Sequence, residues 1–206
     1  MTDHVVLSFS GGKDSCFALH RLQEQSIHVV SLVTTVWKNN QETVAHAEKV
    51  DRMKEQAEKL QIPIHFIETT FDTYAQDFER SLIELKRNQH INGIAFGDIY
   101  LQGHREWGET LAKETGLKAL YPLWNKQENS LRMLQEFINL GFKAQVIKID
   151  HEKLPESWIG RDLDQSFIAD IKKKNVCPMG ESGEYHTTVY DGPIFKAGKI
   201  ERKTFP

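Results

Sequence analysis

An apolar run at residues 5–9 breaks at Ser10 into Gly11-Gly12-Lys13-Asp14-Ser15, and helical spacing follows at once through Phe17, Leu19 and Leu22. A strand that turns straight into a helix constrains the fold strongly. The helix must pack back on the sheet, and the next strand then runs parallel to the first. The chain repeats the pattern. Residues 28–37 are rich in β-branched residues and read as a second buried strand. Val44, Ala47, Val50, Met53, Ala57 and Leu60 fall three or four apart, which predicts a helix over 44–60. A third strand is expected at 63–67, and a helix burying Tyr74, Phe78, Leu82 and Leu85 follows it. A fourth strand at 91–96 ends at Gly97-Asp98, and another helix covers 104–115. The fold class is α/β, with a parallel, Rossmann-like nucleotide-binding sheet covered on both faces.

The character shifts around Tyr121-Pro122-Leu123-Trp124. A helix at 131–140 stops at Gly141, a strand is expected at 144–149, and a helix at 164–174 precedes a glycine-rich stretch at 180–186. The division expected is 1–124 for the nucleotide half and 125–206 for a smaller α+β half that takes the acceptor substrate.

Parallel sheets bind ligands beyond the carboxyl ends of their strands, which gathers Ser10 to Ser15 and Asp98 at one edge. Glycines at a helix mouth let backbone amides converge on an anion, aided by the helix dipole. Ser10 and Ser15 add hydroxyl donors and Lys13 a point charge. The spacing is neither GxxxxGK[ST] nor GxGxxG. Asp14 would repel a phosphate unless it held a cation, and Mg2+ suits carboxylate and phosphate oxygens together.

The hexamer SGGKDS after an N-terminal strand resembles the N-type ATP pyrophosphatases, which the resemblance implies split ATP to AMP and pyrophosphate. Further along, the chain resembles the diphthine–ammonia ligase branch. The carriers are Gly97-Asp98 with His104-Arg105-Glu106-Trp107, then Pro122-Leu123-Trp124, Gly160-Arg161 and Leu163-Asp164. The most specific are Gly180-Glu181-Ser182-Gly183-Glu184-Tyr185-His186-Thr187 and Asp191-Gly192-Pro193-Ile194-Phe195. The resemblance implies an amide made from a carboxylate, ammonia and ATP; in diphthamide synthesis that carboxylate sits on elongation factor 2. One departure is visible: Pro178 and Met179 stand between Cys177 and Gly180, where the family motif joins cysteine directly to Gly-Glu.

On this reading Ser10, Gly11, Gly12, Lys13, Ser15 and Asp98 bind ATP, with Asp14 on Mg2+. Lys13, Asp14, Arg105, Glu184 and His186 are the catalytic candidates, and Glu181, Glu184 and His186 the acceptor side. Arg105 reads equally as the partner of Glu109 one turn on, and Asp98 as a helix cap. His46 is a further candidate for nucleotide contact. The competing functions are sulfur transfer to RNA and an ATP-binding sensor without turnover. A net charge of -3 argues against an extensive nucleic-acid surface, and only two cysteines, far apart, give no CxxC pair. No run reaches the roughly 18 apolar residues of a membrane span, so a cytoplasmic location is expected. Free ammonia is the expected nitrogen source, and a homo-oligomer stays open.

Overall fold

The computed structural model describes residues 3–205. Five strands form one parallel sheet: β1 (His4–Ser8), β2 (His28–Trp37), β3 (Ile64–Thr69), β4 (Gly93–Ala95) and β5 (Lys118–Leu120). Their order is β3-β2-β1-β4-β5, so the chain reverses its direction of travel between β1 and β4. Such a reversal opens a crevice at the carboxyl ends of the two strands it separates.

Alternation along β1 sorts the core. Val5 and Leu7 face one side, with α1 (Lys13–Glu24) and α2 (Val50–Leu60). Val6 faces the other, with α3 (Tyr74–Gln89) and α4 (Gln102–Thr115). On α1, Phe17, Leu19 and Leu22 are fully buried, each stabilising by about 1.5–3 kcal/mol. The remainder of the chain packs on the α1 face. It comprises α5 (Ser130–Asn139), β6 (Lys143–Ile149), α6 (Gln165–Ile171) and β7 (Tyr185–Asp191), with β6 and β7 antiparallel. Phe17, Phe137 and Phe142 meet there, the last two stacked at 4.5 Å, so both sheets share one apolar core.

Two sequence expectations change. The helix at 44–60 begins only at Val50, because the amide of Thr43 donates to Glu48 O and Val44 to Thr35 O, which ties 43–48 into a loop. Ala47 sits there at φ 52°, a left-handed conformation that costs an alanine energy and that the surrounding bonds must hold. Two strands went unpredicted, β5 because three residues are too short for periodicity, and β7 because its polar residues hid its alternation. Elsewhere the expected elements form with ends shifted by a few residues. Among the described residues, no helix is long and apolar enough to cross a membrane.

Candidate active site

A cavity of about 540 Å³ opens at the reversal between β1 and β4, walled by the phosphate loop, Thr34 and Thr35 of β2, Asp98 after β4, and residues 180–187. Its floor is the loop itself. Gly11 has φ +73°, a conformation glycine adopts without strain. That turn aims Gly11 O away from the cavity, where it accepts from Gln56 Nε2 at 2.9 Å and from the amide of Val189 at 3.0 Å. Gly12 lies so close to its neighbours that a Cβ there would come within 2.6 Å of His46 Cε1 and 3.0 Å of Thr187 O. Neither glycine lines the cavity; both shape the loop so that Ser10, Lys13, Asp14 and Ser15 do. Ser15 Oγ donates to Gly12 O at 3.1 Å and lies 3.3 Å from Ser10 Oγ. The amide of Lys13 is already bonded to Thr187 Oγ1 at 3.0 Å, so β7 caps one of the expected anion donors. The amides of Asp14 and Ser15 remain in the first turn of α1, where no earlier helical carbonyl exists for them.

One side of the cavity is acidic. Asp14 Oδ2 accepts from Lys13 Nζ at 2.9 Å, and Lys13 lies buried over the Tyr185 ring at 4.8 Å. Asp14 Oδ1 is buried with no hydrogen-bond partner among the described residues. Burial raises the Asp14 carboxyl, Lys13 pulls it back, and Asp98 pushes it up again. Asp98 Oδ1 lies 3.0 Å from His104 Nδ1, and that contact raises the imidazole. Glu181 Oε1 accepts from the amide of Ile99 at 2.8 Å, yet burial with Asp14 and Asp98 nearby lifts its carboxyl to about 7. One ligand atom each from Asp98, His104 and Glu181 lies within 4.8 Å of the others, a grouping able to hold a metal ion. An orphaned carboxylate oxygen and two further acids, near the N-terminus of α1, fit a divalent cation.

The other side is basic. The rings of His46 and His186 stand 4.8 Å apart. Burial lowers both, His46 to about 3 and His186 to about 4, with Lys13 and Lys148 adding to the effect.

Besides the two glycines, two candidates fall outside the cavity. Glu184 is turned inward and buried: Oε1 accepts from the amide of Cys177 at 3.2 Å and Oε2 from the amide of Ser182 at 2.9 Å. These two bonds hold the turn that presents Glu181, and the side chain does not line the cavity. Arg105 donates from Nε to Glu109 Oε1 at 2.7 Å and lies over the rings of Trp124 and Tyr121. The helical ion pair holds its guanidinium, which does not line the cavity. Sequence reasoning missed Gln56, Thr187 and His104 as site-building residues. For His104 the signal was present, since it follows Asp98 by six positions at the start of a helix. For the other two no local pattern existed, because each acts across more than forty residues. The extra Pro178 and Met179 form a turn, with Met179 in the core and Pro178 O accepting from Tyr185 Oη at 2.6 Å.

The chain is similar to the diphthine–ammonia ligase of Bos taurus, 29% identical over 93% of this chain and 80% of the relative. It is similarly close to that of Homo sapiens, 28% identical over the same shares. A solved U34-tRNA thiolase NcsA from Methanococcus maripaludis, with its [4Fe-4S] cluster, superposes loosely (TM-score 0.42, 15% identity, 68% of this chain and 57% of that one). The diphthamide synthase N-terminal domain matches residues 3–119 and the C-terminal domain residues 129–203, so the chain belongs to the diphthamide synthase family.

Proposed function

We propose that this protein is an ATP-dependent, AMP-forming ligase that converts a carboxylate to an amide with ammonia, as its relatives named diphthine–ammonia ligase are named for doing. The observation that carries this is one cavity with the loop from Ser10 to Ser15 as its floor and a half-buried acid, Glu181, facing it from residues 180–187. An oxygen of the acceptor carboxylate attacks the α-phosphorus, the bond to the β-phosphate bridge breaks, and pyrophosphate leaves with the electron pair. Ammonia then attacks the acyl carbon of the adenylate, the bond to AMP breaks, and the amine loses a proton. Ser10, Ser15 and the first amides of α1 hold the phosphates, and Lys13 supplies positive charge beside them. Glu181, whose carboxyl sits near neutrality, is placed to orient the amine and take its proton. Asp14 with Asp98 would hold Mg2+, which neutralises phosphate charge when bound. Residues 1–124 form the nucleotide half and 125–206 the acceptor half.

Sulfur transfer is disfavoured by the cysteines, since Cys16 and Cys177 are both buried, and burial raises the Cys16 thiol. The deciding test is incubation with ATP, Mg2+, 15N-ammonium and candidate carboxylates, including one presented on elongation factor 2. AMP, pyrophosphate and labelled amide should appear in equal amounts. ATP that binds but is never cut at the α–β bond with any acceptor sinks the reading.

A further inference from the structure

His46 and His186 come from distant parts of the chain, the loop before α2 and the start of β7, and meet directly above the phosphate loop. The position a Cβ of Gly12 would take lies within 2.6 Å of His46 Cε1, so the His46 ring rests on the anion-binding turn. The next residue after His186 is Thr187, whose hydroxyl already holds the amide of Lys13. Across the hairpin, His186 is in register with Lys148. His46 Nδ1 is buried with no hydrogen-bond partner among the described residues, a desolvated polar atom that a ligand would satisfy.

The charges around the pair decide what that ligand is. Burial lowers both imidazoles, and the cations Lys13 and Lys148 lower them further, so the two rings are neutral in the free protein. The same cations oppose a metal ion. His104, by contrast, lies beside Asp98 and is raised. The cavity thus keeps one histidine on its acidic side, and two beside lysines on the side where the phosphate loop turns.

We infer that His46 and His186, with Lys148 beside them, form the subsite that receives the β- and γ-phosphates of ATP and holds pyrophosphate as it leaves. The inference rests on the ATP-cleaving reading and assigns His186 to the leaving group instead of to the attacking amine. Loop and histidine pair then bracket the terminal phosphates, while the α-phosphorus stays turned toward Asp14, Asp98 and Glu181, where the carboxylate and ammonia arrive. Ala47, strained beside His46, and the ion pair of Glu48 with Lys203 at 2.6 Å fix the loop that carries the ring.

The test uses inorganic pyrophosphate and AMP as separate probes, titrated calorimetrically into the full chain. His46→Asn and His186→Asn should each weaken pyrophosphate binding about tenfold, as expected for one hydrogen bond to a charged group, and leave AMP within about twofold. Lys148→Met alters an exposed side chain and keeps the test decisive should a histidine variant fail to fold. It should weaken pyrophosphate about threefold and leave AMP unchanged. Unaltered pyrophosphate affinity in the folded variants, or AMP weakened as much as pyrophosphate, overturns the subsite. If the wild type still makes AMP from ATP in that case, only this inference fails; a wild type that binds neither ATP nor pyrophosphate ends both.

Discussion

The two sides of the cavity are built by opposite rules. On the acidic side, burial resists the ionisation of Asp14 and Glu181, and Asp98 pushes both carboxyls up further. On the basic side, the imidazoles are kept neutral beside lysines and one ring nitrogen is left without a partner. Neither arrangement favours the empty protein. Together they favour a ligand with an anionic tail on one side and a cation or an amine on the other. Strain of this kind is informative because a purely structural cavity would have relieved it.

The strongest way to break that comparison is Asp14→Asn. If the acidic side exists to hold charge during phosphoryl chemistry, AMP formation should fall on the order of 1,000-fold. The melting temperature should not fall, because burial already disfavours this carboxylate. A variant that loses stability and retains turnover would make Asp14 a structural partner of Lys13. Glu181→Gln comes next. It should cost about 100-fold in amide formation, the lower range for a positioned acid or base, with KM for ATP unchanged. An equal rise in KM would move Glu181 to the nucleotide.

Glu184→Gln sharpens the contrast from within one loop. Glu181 faces the cavity, whereas Glu184 accepts two backbone amides beneath it. Weakening two charge-assisted bonds should destabilise the fold by about 1.5–3 kcal/mol, seen as a lower denaturation midpoint. Turnover per folded molecule should stay within a few-fold of wild type. A collapse of turnover at unchanged stability would return Glu184 to the chemistry.

That pair also shows what a sequence can and cannot reveal. The turn from Ser10 to Ser15 was legible because its fold is local: a strand must turn there into a helix. The parallel sheet was legible because period-2 and period-3.6 patterns alternate over long segments. Glu181 and Glu184 stand three residues apart between glycines, and nothing in the spacing says which one faces inward. Only the positions of the Cys177 and Ser182 amides settle it. Arg105 had two readings of equal weight, and in the free protein it pairs with Glu109 and lies over the rings of Tyr121 and Trp124, far along the chain. Gln56 and Thr187 were invisible for a related reason. Each bonds to the phosphate loop from another element, and long-range hydrogen bonds leave no periodic trace.

Acid pH gives a smaller effect with a definite sign. His46 and His186 ionise in the folded chain at about 3 and about 4, below the ordinary 6.5. Groups lowered in this way contribute stability that is present above 6.5 and lost as pH falls toward those values. Between pH 7.5 and 5 each imidazole should remove on the order of 1–2 kcal/mol, read by denaturant titration at the two pH values. In the His46→Asn/His186→Asn double variant the loss should shrink by the sum of the two, on the order of 2–4 kcal/mol. An unchanged loss would mean that the basic side is as well hydrated as the bulk.

The smallest expected effect is the most discriminating for Arg105. It is the one cationic candidate that sequence reasoning placed near the phosphates and the structure places on the surface of α4. Its carboxylate partner Glu109 is 48% exposed, so solvent screens the pair and its contribution is about 0–1 kcal/mol. Arg105→Met keeps an apolar stem against Trp124 and removes only the charge. Turnover and KM for ATP should both stay within about twofold, because the positive charge the reaction needs is already supplied from Lys13 and Lys148. A fall of 100-fold or more in turnover would show that α4 swings its arginine into the cavity when ATP binds, and that the basic side extends beyond the residues that form it in the free protein.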